Sequence, residues 1–197
     1  MDAIVLSGGR ALRMGGATKA FLRLGAETFI ERILATLRPF FDSLIVAADT
    51  PGPYAHLGVK VVVDEGEVRG PLAGLHAGLK ASGSEYCFVT TADAPLLKPA
   101  LVAWLVEHAP GCDALVPSWE RGVEPLCAVY ARSCLPAIEK VLASGSRVVA
   151  FFPFVRVTFV PAQVLRGLDP AGASFRNVNT PQEYEELCRA WDAGLAT

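Results

Sequence analysis

Short apolar runs alternate along the chain with longer segments of helical hydrophobic period. The apolar runs predict strands at Ala3–Leu6, Ser43–Ala48, Lys60–Val63, Tyr86–Thr90, Ala114–Pro117, Leu126–Tyr130 and Phe154–Phe159. The helical patterns predict helices at Thr28–Arg38, Pro71–Ala81, Pro99–His108, Ser133–Leu142 and Pro181–Ala193. Strands that alternate with helices in this way are typical of the α/β class.

Several predicted strands are continuously apolar instead of alternating with polar residues. Runs such as "AIVL" and "CFVT" are typical of strands buried on both faces, which favours a mostly parallel sheet with helices on both sides. We expect residues 1–197 to form a single domain, because that length supports one sizeable core. Ligands of such sheets bind beyond the carboxyl ends of the strands, so the loops after Leu6, Val63 and Thr91 are the candidates for a site.

Composition excludes several classes of function. Hydrophobic residues make up 52% of the chain and charged residues 19%, with a net charge of −2, which indicates a globular protein without a broad basic face for nucleic acid. No apolar stretch reaches the roughly 18 residues of a membrane span, and the start "MDAIVLSGG" lacks the basic region of a signal peptide. We therefore expect a cytoplasmic protein with neither a nucleic-acid nor a membrane partner.

The five cysteines do not indicate a disulfide framework or a zinc site. They are scattered, none forms a C-x-x-C pair, and no histidine lies at ligand spacing from a cysteine pair. Their apolar settings predict reduced core thiols, as expected in the cytoplasm.

A glycine-rich, basic loop, "LSGGRALRMGGATK", follows the first predicted strand. Glycine lets backbone N–H groups approach a phosphate closely, and Arg13 and Lys19 would add charge-assisted bonds to its oxygens. The spacing matches neither the P-loop nor the G-x-G-x-x-G dinucleotide fingerprint. A solvated surface loop is the alternative, but the position after strand one favours a ligand.

Two carboxylates follow predicted strands at the same edge of the sheet. Asp93 ends the apolar run "YCFVTTAD", and Asp64 follows "KVVV". Mg²⁺ is often held by one or two carboxylates together with phosphate oxygens, so Asp93 is a candidate ligand. Both residues could instead cap turns, which Asp commonly does after a strand.

Two further segments have features of a polar site. Gly70 and Pro71 begin a predicted helix, whose free N–H groups could receive an anion or a base edge. Asn177 and Asn179 flank Val178, so their side chains point the same way in an extended segment, either toward a ligand or as a brace before the next helix. That helix begins with Thr180 as N-cap and Glu183 as its capping-box partner.

The segment "LSGGRALRMGGATKAFL" resembles the signature L-A-G-G-x-S-x-R-M-G-x-D-K of nucleotidyltransferases typified by the molybdenum cofactor guanylyltransferases. The later segments "DEGEVRGPLAGLHAGL", "TTADAPLL", "EPLCAVY" and "NVNTPQEYEEL" look like the later blocks of that family, in the same order. The chain departs from the pattern at Ser7, Ala11 and Thr18, where the family usually has Ala, Ser and Asp. The segment "IVAADT" also lacks the Asn that often contacts the base.

The resemblance implies a Rossmann-like fold of the nucleotide-diphospho-sugar transferase type, and transfer of GMP from Mg-GTP to the phosphate of molybdopterin. It implies Mg²⁺ as cofactor with Asp93 as its ligand, and GTP, molybdopterin and molybdoenzyme-maturation proteins as partners. Arg13, Lys19 and Asp93 would be catalytic, and Asn177 and Asn179 would lie near the pterin. Nucleotide-binding residues would be Leu6, Ser7, Gly8, Gly9, Lys19, Asp64, Gly70, Pro71 and Asp93.

Two alternatives stay open. A related enzyme could use another nucleotide or acceptor; the cytidylyltransferases for the same pterin begin L-A-A-G, whereas Gly8 and Gly9 leave more room for a purine. A non-catalytic nucleotide-binding module on the same fold is the other alternative. Intact Asp93 and Lys19 argue against it.

Overall fold

A central sheet organises the computed structural model, which describes residues 1–8, 18–63, 69–120, 122–145 and 147–195. The strands are β1 (Asp2–Ser7), β2 (Arg23–Leu24), β3 (Glu27–Thr28), β4 (Ser43–Ala48), β5 (Lys60–Val62), β6 (Tyr86–Thr91), β7 (Ala114–Trp119), β8 (Gly122–Val123), β9 (Ala128–Ala131) and β10 (Val157–Pro161). Strands β2 and β3 form a separate two-stranded hairpin. The helices are α1 (Phe29–Leu37), α2 (Pro71–Ala81), α3 (Pro99–His108), α4 (Leu135–Leu142), α5 (Ala162–Leu168) and α6 (Pro181–Asp192).

The strands of the central sheet follow the order β10-β7-β9-β6-β1-β4-β5, with β8 paired to the end of β7. The β5-β4-β1-β6 half is parallel throughout, and β7 is parallel to β10. Strand β9 runs antiparallel to both β6 and β7. The predicted α/β fold with a mostly parallel sheet is confirmed, and the carboxyl ends of β1, β4 and β6 meet at one edge.

Helices cover both faces of the sheet because strands β1, β4 and β6 are mostly apolar and buried on both sides. Helices α1, α3 and α5 contribute Ile33, Leu101 and Leu165 to one buried cluster. Helices α2 and α4 contribute Leu75 and Ile138 to a second cluster on the other face. The continuous apolar runs in the sequence therefore have the two-sided burial that they predict.

Helix α2 packs closely on β1 through two of its glycines. A Cβ atom on Gly78 would be 2.6 Å from Ile4 Cγ2, and one on Gly74 would be 3.2 Å from Leu6 Cδ2. Glycine at these positions lets the helix backbone approach the strand directly. The close packing also places the first turn of α2 beside the carboxyl end of β1.

The C-terminal helix α6 is anchored beside that same edge. Thr180 and Glu183 form the predicted capping box, with the Glu183 N–H donating to Thr180 Oγ1 at 3.2 Å. The buried side chains Val178 and Leu187 pack with Leu24 and Phe29 in a third, smaller cluster. This packing fixes the segment before α6 next to the end of β6.

The last third of the chain differs most from the sequence prediction. Residues Val148–Phe154 form 3₁₀ turns, and the strand expected at Phe154–Phe159 is instead β10, Val157–Pro161. Phe151 is fully buried against Tyr130, which holds this segment in the core in a turn conformation. Helix α5 was not predicted, because its one buried residue, Leu165, gives too weak a periodic pattern.

The cysteines are reduced, as their apolar settings in the sequence predict. All five cysteines are free thiols, and three of them are buried. Burial raises the pKa of Cys87 to about 11 and that of Cys134 to about 12. Helices in the described ranges are too short or too polar to cross a membrane.

Candidate active site at the carboxyl edge of the sheet

A cleft of about 910 Å³ opens where β1, β4 and β6 end. This volume lies within the range of about 300–1,000 Å³ usual for small-molecule sites. The cleft brings together residues that the sequence predicts for the site: Leu6, Ser7, Gly8, Lys19, Gly70, Pro71, Asp93, Asn177 and Asn179. The predicted residues Gly9, Arg13 and Asp64 lie outside the described residues.

Three polar side chains from distant parts of the chain meet at Lys19. Its Nζ donates to Asn179 Oδ1 at 2.7 Å and lies 3.2 Å from Asp93 Oδ2. The Lys19 and Asp93 side chains are 23% and 22% exposed, so the ion pair is partly shielded from water but accessible from the cleft. Lys19 begins a 3₁₀ turn, Lys19–Phe21, that follows directly after the glycine loop.

The backbone around Asp93 is fixed on both sides. Ala92 N–H donates to the Leu6 carbonyl at 2.9 Å, which ties the end of β6 to β1. Val178 N–H donates to the Asp93 carbonyl, also at 2.9 Å. These bonds hold the Asp93 carboxylate at the cleft without using its own oxygens.

The Asp93 carboxylate does not cap a turn within the described part of the chain. Oδ2 accepts from Lys19, and the buried Oδ1 has no hydrogen-bond partner among the described residues. A buried carboxylate oxygen without a partner is costly, and a bound cation would satisfy it. The geometry therefore fits a cation ligand better than the turn-capping alternative.

A metal site at Asp93 would need oxygen ligands from the substrate. No group of three or more His, Cys, Asp or Glu side chains in the described ranges is arranged to hold a metal. Mg²⁺ typically binds one or two carboxylates plus substrate phosphates, so a single strand-end carboxylate meets its usual requirement.

Asn177 and Asn179 both line the cleft because Val178 between them is buried on the opposite side. Thr91 Oγ1 donates to Asn177 Oδ1 at 3.4 Å, and Asn179 Oδ1 accepts from Lys19. Each amide oxygen is therefore held by a neighbouring side chain. Their NH₂ groups are the part of each side chain that could serve a ligand.

The position of Asn179 is also set through its backbone. Its N–H donates to Glu183 Oε2 at 2.6 Å, alongside the Thr180 N–H at 3.0 Å. The Asn179 and Thr180 N–H groups lower the pKa of Glu183, because they stabilise its charged form. The capping box of α6 thus continues into the site.

The start of α2 forms another wall of the cleft. Gly70 has φ = 125°, a conformation that side chains rarely adopt, and Pro71 follows at the first helical position. The first N–H groups of a helix have no partner within it and lie at the positive end of its dipole. This wall can therefore accept an anion or a polar base edge.

Sequence reasoning missed other residues that line the cleft. Asp49, Arg69, Gly74, Thr91 and Leu126 are among them. Asp49 directly follows β4, so the strand-end rule applied to that loop would have found it. Leu126 lies in the connection that leads into β9, and no local pattern marks it as a cleft residue.

Comparison with known proteins identifies the family of the chain. The MobA-like NTP transferase domain matches residues 3–153. The chain is 39% identical over 202 residues to the molybdenum cofactor guanylyltransferase of Desulfosudis oleivorans, covering 98% of each chain.

Two solved structures share the fold. Molybdopterin-guanine dinucleotide biosynthesis protein A from Archaeoglobus fulgidus superposes with a TM-score of 0.84 at 28% identity, covering 98% of this chain and all of that one. A Mycobacterium tuberculosis protein crystallised as a complex with manganese gives a TM-score of 0.68 at 18% identity, with 96% and 98% covered. The resemblance seen in the sequence is confirmed: the chain belongs to the MobA-like NTP transferase family and is a nucleotidyltransferase.

Proposed function

We propose that this protein transfers GMP from Mg-GTP to the phosphate of molybdopterin and releases pyrophosphate. The observation that carries the proposal is the meeting of Lys19, Asp93 and Asn179 in one cleft at the carboxyl edge of a parallel sheet. The guanylyltransferase of Desulfosudis oleivorans, similar over nearly its whole length, supports the choice of nucleotide and acceptor.

The proposed reaction forms one bond and breaks one. An oxygen of the acceptor phosphate attacks the α-phosphorus of GTP, and the bond from that phosphorus to the bridging oxygen of the β-phosphate breaks. The acceptor is already an anion, so the protein needs no dedicated general base. What remains is charge repulsion and alignment, which positioned cations and hydrogen-bond donors can overcome.

Lys19 would neutralise the triphosphate. Its Nζ has three donors, of which Asp93 and Asn179 engage two. The third donor, and the freedom of a four-carbon side chain at the cleft, would let it bind a phosphate oxygen while the other two contacts persist. We propose the same function for Arg13 on the glycine loop.

Asp93 would hold the metal. Its buried Oδ1, without a partner among the described residues, is the atom that we assign to Mg²⁺. Bound there with phosphate oxygens, Mg²⁺ would offset negative charge that develops on the α-phosphate and the leaving pyrophosphate. The backbone bonds from Ala92 to Leu6 and from Val178 to Asp93 would keep the carboxylate in place during that charge change.

The remaining predicted residues would position the substrates. Leu6, Ser7, Gly8 and Gly9 would contact the nucleotide mainly through backbone groups, and Gly70, Pro71 and Asp64 would lie beside the guanosine. The NH₂ groups of Asn177 and Asn179 would face the pterin. These roles agree with the described residues of the set lining one cleft.

We also propose that all 197 residues form a single nucleotidyltransferase domain, which works in the cytoplasm and passes its product to molybdoenzyme-maturation proteins.

Titration of the protein with GTP, CTP and ATP, each with Mg²⁺, tests the nucleotide assignment. We expect GTP to bind at least about tenfold more tightly than CTP, a difference of about 1.4 kcal/mol. Equal affinities for GTP and CTP by calorimetry would remove the basis for a guanylyltransferase.

A further inference from the structure

The Tyr54 hydroxyl makes two hydrogen bonds with Ser7, a residue that lines the cleft. Its Oη lies 2.8 Å from Ser7 Oγ and 3.2 Å from the Ser7 carbonyl oxygen. A carbonyl only accepts, so Tyr54 donates to the carbonyl and accepts from the Ser7 hydroxyl. Both partners belong to the last residue of β1, directly before the glycine loop.

The bond to the carbonyl fixes a peptide plane that borders the cleft. The Ser7 carbonyl and the Gly8 N–H belong to one planar trans peptide, in which they point in opposite directions. Tyr54 is buried behind the strand end, with 2% exposure, and it does not line the cleft. A carbonyl held toward Tyr54 therefore turns the Gly8 N–H away from it.

The preceding carbonyl of β1 is also occupied. The Leu6 carbonyl accepts from Ala92 N–H, so the last two carbonyls of the strand both have hydrogen-bond partners within the protein. Strand β1 pairs with β4 as far as Ser7, which lies opposite Ala48. Tyr54 thus adds side-chain hydrogen bonds to the last residue of the strand, at the beginning of the loop.

The Tyr54 ring also packs against the segment that carries Lys19. The ring centroids of Tyr54 and Phe21 are 5.1 Å apart, and Phe21 ends the 3₁₀ turn that begins at Lys19. One buried side chain therefore contacts Ser7, at the start of the loop "SGGRALRMGGATK", and Phe21, two residues after its end. Burial raises the pKa of Tyr54, so its hydroxyl keeps its proton and remains a donor at neutral pH.

We propose that Tyr54 is a positioning residue that orients the Ser7–Gly8 peptide so that the Gly8 N–H can bind the nucleotide. The inference rests on the proposed function, because it takes the cleft to bind Mg-GTP. Tyr54 touches neither substrate nor metal, and it acts through Ser7.

Tyr54→Phe tests this proposal, since it removes only the hydroxyl and keeps the ring packed on Phe21. We expect the Kd and KM for Mg-GTP to rise about tenfold while kcat falls less than threefold, the pattern of lost binding without lost chemistry. The backbone amide resonance of Gly8 should also shift in the variant without ligand. The matched control is Tyr86→Phe, which removes a hydroxyl that accepts from Gly111 N–H at the opposite edge of the sheet. It should leave Kd, KM, kcat and the Gly8 amide resonance unchanged.

Ser7→Ala provides a graded comparison. It removes the hydroxyl partner but keeps the carbonyl as acceptor, so we expect a loss of about threefold in affinity for Mg-GTP, smaller than that of Tyr54→Phe. A larger loss for Ser7→Ala would show that the serine hydroxyl itself binds the ligand, and would overturn the proposal.

Other outcomes separate this inference from the function on which it rests. If the Tyr54→Phe variant binds Mg-GTP with an affinity within twofold of the parent, the positioning role is overturned. It is also overturned if the variant melts below the assay temperature, because the hydroxyl then serves the fold itself. A parent protein that does not bind Mg-GTP would overturn the proposed function first.

Discussion

Lys19 Nζ lies 3.2 Å from Asp93 Oδ2, although 74 residues separate the two in the chain. The glycine loop leads to one of these residues, and the central strand β6 leads to the other. The pair is only partly exposed, so each charge stabilises the other more than at an open surface. The same two charges are what a metal-bound triphosphate requires.

Replacing Asp93 by Asn should remove activity without harming the fold. Asn keeps the shape and polarity of the side chain but loses the charge that would hold Mg²⁺. We expect turnover to fall a hundredfold or more, about 3 kcal/mol of lost transition-state stabilisation, with a normal melting temperature. The control is Asp113→Asn, whose carboxylate binds Arg156 at the opposite edge of the sheet. Turnover of Asp93→Asn within about threefold of the parent would refute the metal assignment.

Lys19→Ala should affect turnover more than the binding of GMP. The lysine is proposed to contact the triphosphate, and GMP lacks the β- and γ-phosphates. We expect the turnover number to fall by about two orders of magnitude, the size seen when one positioned donor is lost from an active site. Lys60→Ala is the control, because Lys60 Nζ donates to the Ala81 carbonyl away from the cleft. Weaker GMP binding with unchanged turnover would place Lys19 against another part of the ligand.

Gly8→Ala tests whether room at the cleft selects the purine. An added Cβ would lie 3.4 Å from Asp49 Oδ1, an ordinary contact, so the protein itself can accommodate the methyl group. We expect the melting temperature to stay the same and GTP affinity to fall several-fold more than CTP affinity. Calorimetric titration of both nucleotides measures the ratio. An unchanged GTP-to-CTP ratio would show that Gly8 does not determine specificity.

Gly78→Ala tests the close packing of α2 on β1. The new Cβ would be 2.6 Å from Ile4 Cγ2 and 2.8 Å from Ile4 Cδ1, and Ile4 is fully buried. Overpacking of this kind costs about 1–3 kcal/mol, which exceeds the gain of up to about 1 kcal/mol in helix propensity. Chemical denaturation should therefore show lower stability. Gly83→Ala, where a Cβ meets no atom within 4 Å, is the control and should be neutral or slightly stabilising. Equal stability of the two variants would contradict this packing.

The parallel half of the fold can be predicted from the sequence because each of its elements is marked by a pattern of neighbouring residues. The apolar runs at β1, β4 and β6 and the helix periods between them are each complete within about ten residues. The strand-end rule then places Ser7 and Asp93 at one edge, where the structure has them. Helix α5 and the shifted strand β10 depend instead on how Leu165 and Phe151 pack against distant residues.

The hydrogen bonds between residues of the site are harder to predict from the sequence than the residues themselves. The bond from Lys19 to Asn179 spans 160 residues, and it depends on α6 docking through Val178 and Leu187. The link from Tyr54 to Ser7 depends on where the 3₁₀ turn Gly52–Leu57 lies after β4. No local pattern specifies either contact, since each arises from tertiary packing.

The most direct measurement is turnover by the unmodified protein, with Mg²⁺, molybdopterin and one nucleoside triphosphate at a time. We expect release of pyrophosphate and formation of the guanine dinucleotide from GTP, at least about tenfold faster than any reaction with CTP or ATP, and no product when Mg²⁺ is chelated. A folded protein that leaves GTP intact while it consumes CTP, or that consumes none of the three, would contradict the proposed function.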